Sequence, residues 1–370
     1  MILTFTGDIC ITGSFEEKIK SNATIFSDEI ADELLKSDFV VGNLEGPTTN
    51  INTIFNKSTP LKSPVKTINY LHKKNISVFN LANNHILDYG DLGLKDTLSE
   101  IKNEKCSYFG ADVSKEKAIT PLIIKKDSIS IALFGIAKCN PTKINNGQLF
   151  NADEFSRLKK QVHIYKNKVD FIIVNFHGGE EYSLYPSPVK RKFLKKIAAL
   201  KNVSCVIAHH SHTLQGYEKY KNTFIFYSLG NFIFDLQNHK PHKGTDHSAL
   251  LKLHFTKQNF TFSFVPFIIN KGKIDSVDFE KFAKKINQLS DFSNYKKKWQ
   301  KEAYRILFRK ENPKLVEFRD NKEYLQNKSF IKILLSKKFY SKVYAILKDN
   351  YMFSLYANAL IFRIKKKFTS

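Results

Sequence analysis

Short apolar runs and amphipathic stretches alternate along the first 270 residues of the chain. Runs at residues 2–6, 39–43, 76–81, 122–124, 129–136, 171–176, 203–208 and 224–229 have the continuous hydrophobic character of buried strands. Between several of them, residues 27–36, 65–74, 92–102, 151–166 and 188–200 carry apolar positions at helical spacing. Ser27, followed by Asp28 and Glu29 and then by Ile30, Leu34 and Leu35, reads as a helix start. Strands alternating with helices predict an α/β fold whose helices cover sheet faces. Residues 250–255 and 260–265 read as a closing hairpin. Beyond about residue 275 the pattern turns to Lys-rich segments of helical period at 279–289, 295–308, 325–335 and 339–347. The chain therefore divides into a body, 1–275, and a basic, mostly helical region, 276–370.

Composition refines this picture. With 42% hydrophobic and 25% charged residues over 370 positions, the chain is neither disordered nor fibrous. Its net charge of +24 is uneven: residues 280–370 hold 23 Lys and Arg against 8 Asp and Glu. Such a tail suits an anionic partner, a membrane surface or nucleic acid, and equally a solvated helical face. Cys10, Cys106, Cys139 and Cys205 lack metal-site spacing and read as thiols of a reducing compartment. No signal peptide and no apolar run of spanning length is visible, so the cytoplasm is the expected address.

In an α/β sheet the residues just past a strand gather at its carboxyl edge, where ligands bind. Five strand ends here are rich in chemistry: Thr6-Gly7-Asp8; Asn43-Leu44-Glu45-Gly46; Asn83-Asn84-His85 with Asp88; His177-Gly178-Gly179-Glu180-Glu181; and His209-His210-Ser211-His212. Each alone is weak, because a polar residue after a strand is more often a cap. As a set, two carboxylates, a carboxamide and several imidazoles at one edge call for a cation among them. Mixed imidazole and carboxylate donors suit Mn, Fe or Zn over Ca or Mg. Two such metals sharing a carboxylate would clamp an in-line phosphoryl displacement.

The order of these motifs, continued by Gln215, Glu218 and Tyr227-Ser228-Leu229-Gly230-Asn231-Phe232, resembles the CapA family of poly-γ-glutamate capsule synthesis proteins. That family is a branch of the calcineurin-like metallophosphoesterase superfamily. The resemblance covers roughly residues 1–265 and implies a four-layer α/β/β/α sandwich holding two divalent metals. It implies that Asp8 and His212 bind one metal, that Glu45 bridges, and that Asn84, His177 and His210 bind the other. His85 falls at the position that protonates a leaving group. Asn43, Asp88, Glu180, Glu181, His209, Gln215, Glu218, Ser228 and Asn231 are candidates for orienting ligands or touching substrate. The superfamily's Asp-x-His start is here Asp8-Ile9-Cys10, and Cys10 reads as a buried strand residue in preference to a thiolate ligand. His239, His242 and His247 lie in a polar stretch that reads as a plain surface loop, with a lid as the alternative.

The expected function is hydrolysis of a phosphoester in the making of a cell-surface polymer. Two alternatives stay open: a non-hydrolytic binding or assembly component of a polymer synthase, and amide or amino-acid transfer onto a surface polysaccharide. The expected partners are an acidic polymer, a lipid-linked glycan or a small phosphoester, with peripheral contact to an anionic membrane. Nucleic acid is disfavoured, since the tail lacks the interleaved aromatic and basic pattern of an RNA module.

Overall fold

A computed structural model describes residues 1–21, 23–54, 59–138, 155–237, 239–308 and 347–369. Among these described residues fourteen strands follow in order: β1 (Ile2–Ile9), β2 (Phe39–Leu44), β3 (Ile76–Asn80), β4 (Ser107–Phe109), β5 (Leu122–Lys126), β6 (Ile129–Ala137), β7 (Phe171–His177), β8 (Val203–His209), β9 (Tyr217–Tyr220), β10 (Thr223–Phe226), β11 (Asn231–Ile233), β12 (His247–Phe255), β13 (Phe260–Asn270) and β14 (Lys273–Ser276). The described helices are α1 (Ser14–Lys20), α2 (Asp28–Leu35), α3 (Thr67–His72), α4 (Gly90–Asn103), α5 (Lys115–Ile119), α6 (Phe155–Tyr165), α7 (Pro188–Ala198), α8 (Phe279–Ser290), α9 (Tyr295–Phe308) and α10 (Asn350–Thr369). The helices expected at 325–335 and 339–347 lie outside the described residues, apart from Leu347, as does Cys139.

Two mixed sheets stack face to face. The first runs β14-β13-β12-β1-β2-β3-β4, with β11 also paired to β1, and the second runs β5-β6-β7-β8-β10-β9. Side chains of consecutive strand residues point to opposite faces, so each central strand feeds two apolar layers. Val41, Ile173 and Ile207 enter the layer between the sheets, together with Leu3, Phe5 and Phe226. Their neighbours Val40, Ile172 and Val206 point outward, the first under α2 to α4 and the other two under α6 and α7. Three stacked cores between four layers make this the expected α/β/β/α sandwich.

The parallel pairing aligns the chemistry. Asp8 stands opposite Asn43, and Asn43 opposite Asn80, in the first sheet. His177 stands opposite His209 in the second. Both sheets thus present their carboxyl ends on the same side. Gly7 is required at the β1–β11 seam, because a Cβ there would stand 2.2 Å from Gly230 O. The hairpin reading at 250–265 is one strand short: β14 continues the antiparallel sheet to Ser276.

The C-terminal helices pack on this body. In α8, Phe282, Ile286 and Leu289 bury against Leu214 and Ala249. Trp299 and Ala303 of α9 bury against Leu355 and Ala359 of α10. Along α10, Leu355 and Ala359 face inward, whereas Met352 and Tyr356 are exposed.

Candidate metal centre

Asp8 ends β1 and Glu45 follows β2; both are fully buried, as is His177 at the end of β7. Burying carboxylates without a compensating positive charge is costly. The structure surrounds them with imidazoles. His212 Nδ1 is 3.2 Å from Asp8 Oδ2, and His209 Nδ1 is 3.5 Å from Asp8 Oδ1. Glu45 Oε1 lies 3.5 Å from His177 Nε2 and 3.8 Å from His212 Nε2. His210 Nδ1 lies 3.1 Å from His177 Nε2.

These donors fall into two groups, Asp8–Glu45–His177 and Glu45–His210–His212, with ligand atoms in each group within 4.8 Å of one another. Glu45 belongs to both. The backbone at the β8 end is bent to achieve this. His210 and His212 have φ of 85° and 56°, left-handed values that β-carbon sterics disfavour and that cluster at functional sites.

The protonation states match a cation-binding role. Burial would raise the Asp8 carboxyl, but the bonds from His209 and His212 hold it well below its ordinary range. Burial lowers His177 and His210; Asp8 opposes this at His177 without overcoming it, and neighbouring imidazoles lower both further, which favours the neutral rings that donate lone pairs. His212 behaves differently. Burial opposes its charge, yet Glu45 and Asp8 outweigh this and push it up to about 10. A proton on His212 therefore balances the two carboxylates where a divalent cation would otherwise do so. The donor set fits two metals bridged by a carboxylate.

Hydrogen bonds fix the donors from behind. Asn43 Nδ2 donates to Asp8 Oδ1 at 2.7 Å and lies 3.1 Å from His177 Nδ1. Asn80 Nδ2 in turn donates to Asn43 Oδ1 at 2.7 Å, which sets the Asn43 amide in that orientation. Asn231 Oδ1 is 2.9 Å from His212 Nδ1. The Asn83 amide bridges the turn, accepting from His85 N and donating to Leu44 O, while Asn84 beside it is half-buried. His85 Nε2 stands 3.7 Å from Glu45 Oε1, at the margin of the centre. Its Nδ1 is 2.6 Å from Asp88 Oδ2.

Other expected site residues are drawn elsewhere. Glu218 accepts from Arg191 Nε and Nη2 at 2.8 Å each and from the Tyr227 hydroxyl, in a network on the outer face of the second sheet. Glu180 accepts from Ser187 N at 3.3 Å near the buried Lys190; burial lifts its carboxyl to about 7. Gln215 donates to Ser183 O at 2.8 Å and so holds the loop after β7. Ser228 Oγ accepts from Gly230 N in a turn. Glu181 is exposed. Cys10 is buried with Leu61 and Phe234 and belongs to neither donor group, in keeping with the strand reading.

One expectation fails plainly. The stretch with His239 and His242 is no plain surface loop: both imidazoles are buried, and His242 stacks on Tyr182 at 3.7 Å with rings 2° from parallel. Tyr182, which closes the strand-end motif that begins at His177, is itself anchored from α9. Arg305 Nη2 donates to Tyr182 O at 2.5 Å, and Glu302 Oε2 accepts from Leu184 N at 3.2 Å. The Tyr182 backbone has φ of 60°, a conformation that this support from behind maintains.

Comparison with known proteins places the geometry in context. Residues 2–236 match the family described as bacterial capsule synthesis protein PGA_cap. The chain is 31% identical over 287 residues to the capsule biosynthesis protein CapA of Bacillus anthracis, covering 74% of this chain and 68% of that protein. To the PGA biosynthesis protein CapA of Bacillus subtilis (strain 168) it is 30% identical over 320 residues, covering 82% and 81%. Among solved structures, the NAD nucleotidase of Haemophilus influenzae aligns with a TM-score of 0.44 at 15% identity, over 78% of this chain and 55% of that one. The chain thus spans little more than half the length of that nucleotidase.

Proposed function

This chain belongs to the PGA_cap family of bacterial capsule synthesis proteins, and from that premise we propose that it is a metal-dependent phosphoester hydrolase acting in surface-polymer synthesis. The observation that carries the reading is Glu45, one carboxylate shared by two donor groups. Asp8 and His177 would hold one ion, and His210 and His212 the other, with Glu45 common to both. This pairing differs from the one the family resemblance implies, in which His212 joins Asp8 and His177 joins His210 and Asn84. Carboxylate and imidazole together suit Mn, Fe or Zn. When bound, a pair of such ions supplies charge to polarise phosphoryl oxygens and to activate water for in-line attack.

The remaining work falls to side chains of this chain. His85 delivers a proton to the departing oxygen through Nε2. Asp88 accepts from the Nδ1–H, which fixes ring orientation and stabilises the cationic ring that gives up its Nε2 proton and is left neutral. The Asn80–Asn43 pair keeps Asp8 and His177 in register across the two sheets. Metal content of the chain purified without chelator, paired with a screen of generic phosphoesters, tests the proposal. Two equivalents and turnover support it. A metal-loaded but inert chain would favour the assembly-component alternative.

A second reading concerns location, and α10 favours it. Met352, Phe353, Tyr356, Leu360, Ile361 and Ile364 are exposed along this helix, with Arg363, Lys365 and Lys366 at its end. An exposed apolar stripe beside cationic residues suits an anionic membrane interface. Among the described residues no helix is long and apolar enough to cross a membrane.

A further inference from the structure

The segment joining β11 to β12 runs from exposed Lys240 and Pro241 to exposed Lys243, yet turns His239 and His242 inward. His239 is 6% exposed. Its Nδ1 is buried and finds no hydrogen-bond partner among the described residues. A buried polar atom in that state costs stability unless a ligand satisfies it. The ring is not free to turn away. Thr245 Oγ1 donates to His239 O at 3.2 Å and to His242 O at 3.1 Å, and Thr245 O accepts from Asn231 Nδ2 at 2.9 Å.

That anchor is the same Asn231 whose Oδ1 orients His212. The His239 ring lies against His212, with centroids 4.4 Å apart and planes at 46°, and Phe234 stacks on its other side at 5.0 Å. With metal–nitrogen distances near 2 Å, two imidazoles converging on one ion stand with ring centres on the order of 4–5 Å apart. Phe234 also covers Cys10, the residue that leaves the Asp8 side of the centre without an imidazole from β1.

We propose that His239 is a further imidazole ligand of the metal centre, beside His212 of the group Glu45, His210 and His212. It lies beyond residues 2–236 that match the family, outside the two donor groups described above. The inference rests on the reading of those groups as a metal centre.

The test is a Co²⁺ titration of the metal-stripped full chain, followed by its visible absorption. For His239→Gln and His239→Phe, the weaker of two dissociation constants should rise about 10²-fold or more, above the loss seen when an orienting partner is removed, and the spectrum should shift. Free imidazole added to His239→Gly should restore the wild-type spectrum. Wild-type affinity and spectrum in both the Gln and Phe variants would overturn the assignment, as would failure of imidazole to change the spectrum of a folded His239→Gly. A wild-type chain that takes up no Co²⁺ would instead bring down the metal centre itself, and this ligand with it.

Discussion

His85 and Asp88 form a hydrogen-bonded pair, Nδ1 to Oδ2 at 2.6 Å, three residues apart in the turn after β3. The same Asp88 oxygen accepts from Leu61 N at 2.8 Å, so the carboxylate is itself held in place. The imidazole therefore presents Nε2 to the centre in one orientation. His85→Ala should retain metal and lower turnover by about 10²–10⁴, and Asp88→Asn should lower it by about 10–10². Steady-state rates on metal-verified variants check this. Unchanged rates would remove the pair from the mechanism.

Asn43 ties Asp8 to His177 across the two sheets, and its loss should act on stability and metal together. Asn43→Leu strands the Asn80 amide and one Asp8 oxygen in a buried site. Destabilisation of about 1–3 kcal/mol is expected, with metal affinity falling about 10–100-fold. Urea unfolding of the stripped chain and metal titration separate the two effects. A variant as stable and as tight-binding as wild type would show the amide chain to be incidental.

Cys10 provides a control on the ligand set. Burial pushes its thiol far above the ordinary range, which disfavours a resting thiolate. Cys10→Ala should keep the wild-type metal stoichiometry, read by elemental analysis. Loss of one equivalent would make the thiol a ligand after all.

Acid should weaken the Glu218 network. Burial raises this carboxyl, but bonds from Arg191, Tyr227 and Lys195 outweigh it and leave the folded value below the unfolded one. A depressed carboxyl contributes stability that is fully present above the unfolded value, about 4.3, and is lost as pH falls through the folded value. The stability gap between wild type and Glu218→Gln should be constant from pH 7 to about pH 5 and should shrink below about pH 4. Urea midpoints across that range give the answer, and a gap that widens in acid contradicts the assignment.

The exposed face of α10 predicts sedimentation with anionic liposomes at low salt and release at high salt, since each basic residue near such a surface adds about 1 kcal/mol. Replacing Phe353 and Leu360 by Ser should abolish it. Binding that ignores both salt and these replacements would exclude the helix as the contact.

Much of this was legible in the sequence for a physical reason. Asp8, Glu45, His177 and His209 each end an apolar run, and parallel pairing carries such ends to one edge. Asn43 lies within one of those runs and Asn231 just past the run at 224–229, so proximity could be expected even where their bonds could not. Glu218 shows the limit: its spacing after His212 fits a site role, but β9 is an edge strand that aims it at Arg191 on α7. His239 and His242 were obscured for the opposite reason. Flanked by Lys, Pro and Gly, they have no periodicity, and their burial depends on Tyr182, Phe234 and Thr245 from elsewhere in the fold. Likewise the hold of Arg305 on Tyr182 joins positions 123 residues apart, which no local pattern reveals.

The most direct test is to titrate the metal-stripped chain with Mn²⁺ while following hydrolysis of a generic phosphoester such as p-nitrophenyl phosphate or its diester. A centre bridged by Glu45 predicts that activity appears as the second equivalent binds, and that Glu45→Gln abolishes the step. Full activity at one equivalent, or no metal-dependent hydrolysis of any phosphoester, would contradict it.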